Sequence, residues 1–142
     1  MIKNRRLVFL VILFFISSVS FASNVFAQSY IQSGNEIIKK IYDDIAMLKK
    51  DHNELASFDS GSLKKSRRDE LYIVYGEPVK GGAKEKTYIY ISYTKLPVSF
   101  KGWQFSPSIF YSLKDDLYFG VCLEAKDKLK KDLLAVIEKD IR

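Results

Sequence analysis

A two-layer α+β fold is what this sequence predicts: an N-terminal amphipathic helix, a short element of ambiguous type, a three- or four-stranded antiparallel sheet and a C-terminal helix. Three observations carry that expectation. Apolar residues recur at helical spacing from Ile38 to Leu55. They recur again from Leu129 to Ile141. Between these stretches, Thr87 to Leu123 holds strict period-2 alternation and much of the aromatic content.

The chain opens on a segment that reads as a secretory leader. Lys3, Arg5 and Arg6 form a positive start, Leu7 to Ile16 is an unbroken apolar run, and Ser/Ala-rich sequence follows. Val25-Phe26-Ala27 has the small-x-small pattern of a cleavage site, with Ser20-Phe21-Ala22 as a second candidate. A ten-residue apolar run is short of the roughly 20 residues that a spanning helix needs. The expected organisation is a signal peptide over residues 1–27 and one α+β domain over 28–142. Removing the leader takes three basic residues with it. The remaining 115 residues carry 20 Lys+Arg against 17 Asp+Glu, a net charge of +3, which is too little to indicate a nucleic-acid partner. A lone thiol, Cys122, offers no internal disulfide, so the core has to hold the fold without staples.

The first helix is expected from Ser33 to about Phe58. Ser33-Gly34-Asn35-Glu36 has the form of a capping box. Ile38, Ile41, Ile45, Leu48, His52 and Leu55 step by three and four residues, as a heptad seam does. That seam allows a homodimer through residues 37–56. A helix laid across the sheet needs only the same stripe and is the preferred reading. Asp59-Ser60-Gly61 then breaks the pattern. Ser66 to Tyr75 is the ambiguous element. Ser66-Arg67-Arg68-Asp69 looks like a second capping box, and Gly76 with Pro78 like a helix stop, yet Leu71 to Tyr75 is rich in strand formers. The agreement of start and stop signals favours a short helix.

Tyr88 to Tyr93 is a strand by β-branched and aromatic content. Val98 to Phe105 reads as an edge strand broken near Gly102. Ile109 to Leu123 reads as a hairpin around Lys114-Asp115-Asp116. With Leu113 opposite Leu117, the pairs Tyr111–Phe119 and Ile109–Val121 share one face, and Phe110 lies opposite Gly120. The last helix places Leu129, Leu133, Val136, Ile137 and Ile141 on one stripe.

The order of a Ser-x-x-Asp element, Tyr75-Gly76-Glu77-Pro78 and then strands resembles small outer-membrane lipoproteins of the SmpA/OmlA type. The resemblance covers about ten residues and implies helices followed by a small antiparallel sheet, with a scaffolding role in barrel assembly. This chain departs from that pattern in lacking a cysteine near the leader and in carrying a C-terminal helix.

The chemical inventory argues against catalysis. One His and one Cys on different elements cannot supply a zinc site. His52 could be joined to a Ser and an Asp on paper, but no nucleophile elbow presents the serine, and a polar residue on a helix seam is a known register device. Gly76 to Gly82 lacks the Gly-Lys-Ser/Thr of a phosphate loop. The adjacent pairs Asp43-Asp44 and Asp115-Asp116 are a helix surface and a turn, and no pattern joins either to Glu77 as a glycosidase pair. No cofactor or metal is expected.

Two features point to binding. Lys64, Lys65, Arg67 and Arg68 form a basic cluster suited to an acidic partner or to peripheral contact with anionic lipid. Tyr88, Tyr90 and Tyr118 fall on the strand face opposite Ile89, Ile91 and Phe119, with Trp103 in the edge segment; such rings suit sugars or protein partners. The expectation is an exported, periplasmic or secreted, non-catalytic protein that binds a protein or envelope component. The alternatives are a cell-wall hydrolase and a structural dimer. Intact mass of the exported protein should show a chain starting at Gln28, or at Ser23; a mass that retains residues 1–22 would contradict cleavage.

Overall fold

The computed structural model describes residues 30–78, 86–95 and 117–142, together with the strand at 109–112, of whose side chains only Tyr111 is described. The chain divides into two units, Met1–Gln32 and Ser33–Arg142. Of the first, only residues 30–32 are described, and they are helical. The second contains a helix, α1 (residues 33–48), the strands β1 (Leu63–Lys65), β2 (Leu71–Tyr75), β3 (Tyr88–Thr94), β4 (Ile109–Ser112) and β5 (Tyr118–Glu124), and the helix α2 (Asp127–Ile141). The expected α+β class is what is found. No described helix is long and apolar enough to cross a membrane.

The five strands are antiparallel neighbours in the order β1-β2-β3-β5-β4. The expected hairpin has its expected register: Ile109 pairs with Val121, Phe110 with Gly120 and Tyr111 with Phe119. Its loop, Leu113 and the Val98–Phe105 edge segment with Trp103 lie outside the described residues. Leu117, Phe119, Val121 and Leu123 are buried with Ile73, Ile89 and Ile91 on one sheet face. The helices cover that face. Ile38, Ile41 and Ile45 of α1 and Leu129, Leu133 and Ile137 of α2 are fully buried. Each such side chain contributes on the order of 1.5–3 kcal/mol. The apolar seam of residues 37–56 is thus filled within a single chain, which fits a helix laid across the sheet.

Two sequence expectations are corrected. First, α1 does not run to Phe58. It stops at Leu48, where Lys49 and Asp51 make tight bonds to Ala46 and Leu48, and a 3-10 turn follows at Asn53–Leu55. Asp51, Asn53 and Ser57 favour local turns over helix, and the Lys49 ammonium donates to the Phe58 carbonyl at 2.6 Å. Ser33 is no cap either, because residues 30–32 are already helical.

Second, Ser66 to Tyr75 is no helix but the turn and second strand of a hairpin. Ser66 N–H donates to the Glu70 carbonyl and Asp69 N–H to the Ser66 carbonyl. Asp69 takes a left-handed φ of 64°. That is a three-residue hairpin loop, with Asp tolerated at the left-handed position. The Ser66 hydroxyl accepts from the N–H groups of Arg68 and Glu70, both at 3.2 Å. The capping chemistry is real, but it caps a turn.

Asn35 joins these parts. Its side-chain N–H donates to the Asp69 carbonyl at 2.8 Å. Its Oδ1 accepts from Leu71 N–H at 2.7 Å and from the Tyr93 hydroxyl at 2.6 Å. The Tyr93 ring lies on Gly34, so close that a Cβ there would collide with it. Asn35→Ala should lower stability by about 2 kcal/mol, because it strands a strand N–H and a core phenol. Asn35→Asp keeps both acceptor roles and should lose less; urea unfolding measures both.

Candidate functional site

The β1–β2 hairpin carries the basic cluster. Lys64, Lys65, Arg67 and Arg68 are all exposed. Register decides their direction. Lys64 pairs with Tyr72 and points to the sheet face away from the helices, while Arg67 and Arg68 occupy the loop tip. Lys65 is spanned to Asp69 at 3.3 Å, an exposed pair that is worth little. The loop is held from below through Asn35, so Arg67 and Arg68 sit on a tied turn rather than a free one. The four share one hairpin, but Lys64 and Lys65, as successive strand residues, project to opposite faces.

The aromatic group fares differently. Tyr88, Tyr90 and Tyr118 do lie on the face away from the helices, as their pairing with Glu124, Cys122 and Thr94 requires. An open patch they are not: Tyr88 is only 4% exposed, and Tyr90 and Tyr118 are half-buried. Tyr72 and Tyr90 shield each other with centroids 6.1 Å apart. Burial pushes the Tyr88 phenol up to about 12, with Cys122, Tyr90 and Glu124 adding to it. Burial likewise raises Tyr90, against a hydrogen bond with Ser92 that lowers it. Trp103, the fourth ring of that expectation, lies outside the described residues.

A cleft of about 470 Å³ lies at the β2–β3 end of the sheet, lined by Glu54, Ser57, Tyr75, Gly76, Glu77, Lys86 and Thr87. Its shape has local causes. Gly76 has φ 75°, and the Thr87 carbonyl fills the space a Cβ would need. Tyr75 packs edge-on to Phe58 and donates to the Glu54 carbonyl at 2.6 Å, fixing the floor. The cleft brings Glu77 together with Glu54, a partner that sequence spacing does not suggest. Asp44 is elsewhere, on the α1–α2 seam, and Asp115 and Asp116 lie outside the described residues.

His52 is 5% exposed and extended in backbone, and its Nε2 meets Asp132 Oδ2 on α2 at 2.7 Å. None of the described hydrogen bonds joins it to a serine, so what is present is a His–Asp tie between the end of α1 and α2. Its seam position is real, but the helix has ended before it. Among the described residues no group of three His, Cys, Asp or Glu side chains is placed to hold a metal ion. Comparison with family models, with characterised proteins and with solved structures found no match.

Sequence reasoning missed Asn35, Glu54 and the Asp44–Asp140 seam. Only Asn35 left a trace: Gly34-Asn35 are poor helix formers inside a helical stretch. The burial of Tyr88 sets a test. Tyr88→Ser should cost about 3 kcal/mol in denaturant unfolding, as truncation of a buried ring does. Tyr118→Ser, half-buried, should cost clearly less.

Proposed function

We propose that this is an exported, non-catalytic protein that binds an anionic component of the cell envelope through the β1–β2 hairpin, with anionic lipid headgroups as the surface contacted. The observation that carries the reading is that Lys64, Lys65, Arg67 and Arg68 are all exposed on one hairpin whose turn is tied to α1. The nearby acids are Asp69, spanned to Lys65, and half-buried Glu70, which leaves an excess of positive charge at the tip. Exposed cations without an apolar anchor suit a fluid array of headgroups better than one shaped pocket. The leader-like N-terminus supports the envelope setting. The half-buried aromatic face gives less support to recognition of sugars or proteins.

A cell-wall hydrolase is the second reading, favoured by the cleft that holds Glu54 and Glu77. A catalytic pair would make Glu77→Gln abolish any hydrolysis of wall material while leaving lipid binding intact.

Co-sedimentation with vesicles tests the main reading. The protein should bind vesicles containing phosphatidylglycerol, fail to bind pure phosphatidylcholine, and lose binding as salt rises. At about 1 kcal/mol per basic residue, Arg67→Ser with Arg68→Ser should weaken binding roughly 30-fold. Equal binding to both vesicle types, or binding unchanged in that variant, overturns it.

A further inference from the structure

At the far end of the α1–α2 seam two aspartates face each other. Asp140 of α2 has a side chain with no exposed surface, and Asp44 of α1 is 22% exposed. Both Asp140 oxygens and Oδ2 of Asp44 are buried, and no hydrogen-bond donor of the described residues satisfies them. The charged groups facing them come from both helices. Lys40 of α1 stands 3.7 Å from Asp140 Oδ1, and Lys139 of α2 stands 3.5 Å from Asp44 Oδ2. The ammonium groups are therefore at or beyond the limit of a hydrogen bond. Two lysines supply charge but leave three buried acceptors without a donor.

Two ionised carboxylates cannot hydrogen-bond to each other. One proton between them joins two of these three oxygens, and it removes the repulsion of two facing anions in the same step. We propose that Asp44 and Asp140 form a single-proton site that fastens α2 to α1, so that this seam is tightest when one proton is held and weakens when it leaves.

The direction of the pH dependence follows from which carboxyl is favoured in which form. Burial, then the hydrogen bond with Asp44 and its charge, push the Asp140 carboxyl up to about 6, against the two lysines. Asp44 is held below the ordinary carboxylate range, first by its hydrogen bond with Asp140 and then by Lys139 and Lys40, against desolvation. The raised group contributes stability that is complete below the unfolded carboxylate range and lost as pH rises through about 6. The lowered group contributes above that range and is lost in stronger acid. Between the two the site holds one proton. The site does not depend on the lipid-binding reading, since neither residue lies on the hairpin.

Unfolding of the full chain by urea at a series of pH values tests the proposal. Between pH 5 and pH 8 the folding equilibrium constant of the wild type should fall roughly tenfold. Asp140→Asn places a permanent N–H donor where the proton sits, so this variant should lose that slope; Asp44→Asn should do the same. A wild type and an Asp140→Asn variant with the same pH dependence overturn the proposal. Should either variant fail to fold, carboxyl carbon NMR of the wild type decides: one aspartate titrating near pH 6 supports the site, and no aspartate titrating above about pH 5 refutes it.

Discussion

The amide of Asn35 is the contact on which the arrangement of helix, hairpin and sheet depends. A two-stranded ribbon such as β1–β2 is marginal by itself in water. Here its turn carbonyl and the first N–H of β2 are both bonded to one side chain of α1. The same Oδ1 takes the Tyr93 hydroxyl, and the Tyr93 ring continues inward to Phe119 with centroids 5.8 Å apart. One polar residue therefore sets the depth at which α1 lies on the sheet. Gly34 makes room for the ring, and the aromatic pair carries the constraint to the central strands.

Apolar burial holds the two helices together, but it has no direction of its own. Orientation along the seam comes from polar and charged contacts that cross it. Lys126 reaches Glu54, His52 meets Asp132, and Lys40 and Lys139 reach Asp140 and Asp44. The exposed members add little to stability in water. Their value is in register, because a shift of α2 along α1 would part Asp140 from Lys40 and Asp44 from Lys139. The His52–Asp132 contact, with its ring inside and its carboxylate half outside, ties the loop that follows α1 to the same frame.

What the chain discloses in advance depends on how local the physics is. The β4–β5 register was legible because a strict two-residue period, with a glycine opposite Phe110, leaves one in-phase alignment. The C-terminal helix was legible for the same kind of reason, a stripe at one spacing. The Ser66 element misled because a serine hydroxyl caps a helix start and a hairpin loop with the same bonds. The early stop of α1 was hidden because the seam positions His52 and Leu55 stay buried after the helix ends. Asn35 showed only as a poor helix former in a helical stretch, and its role stayed hidden because its partners stand 34, 36 and 58 residues away. Of the candidate sites, the basic cluster is contiguous in sequence and was readable, whereas the cleft needs Glu54 and Glu77 to be folded together.

Cys122 gives the sheet an internal clock. It is the single cysteine of the chain, it sits on β5 opposite Tyr90, and it is 7% exposed. Its side chain points to the sheet face away from the helices, so a thiol reagent reaches it only when the groups that cover it there move aside. Labelling kinetics at this single atom therefore count uncoverings of that face, without any engineered probe. Slow reagent reads how often that face stands uncovered at equilibrium, and fast reagent reads how often it uncovers. The residue that offers no disulfide to the fold thus records, one covalent event per molecule, how long the outer face of the sheet stays covered.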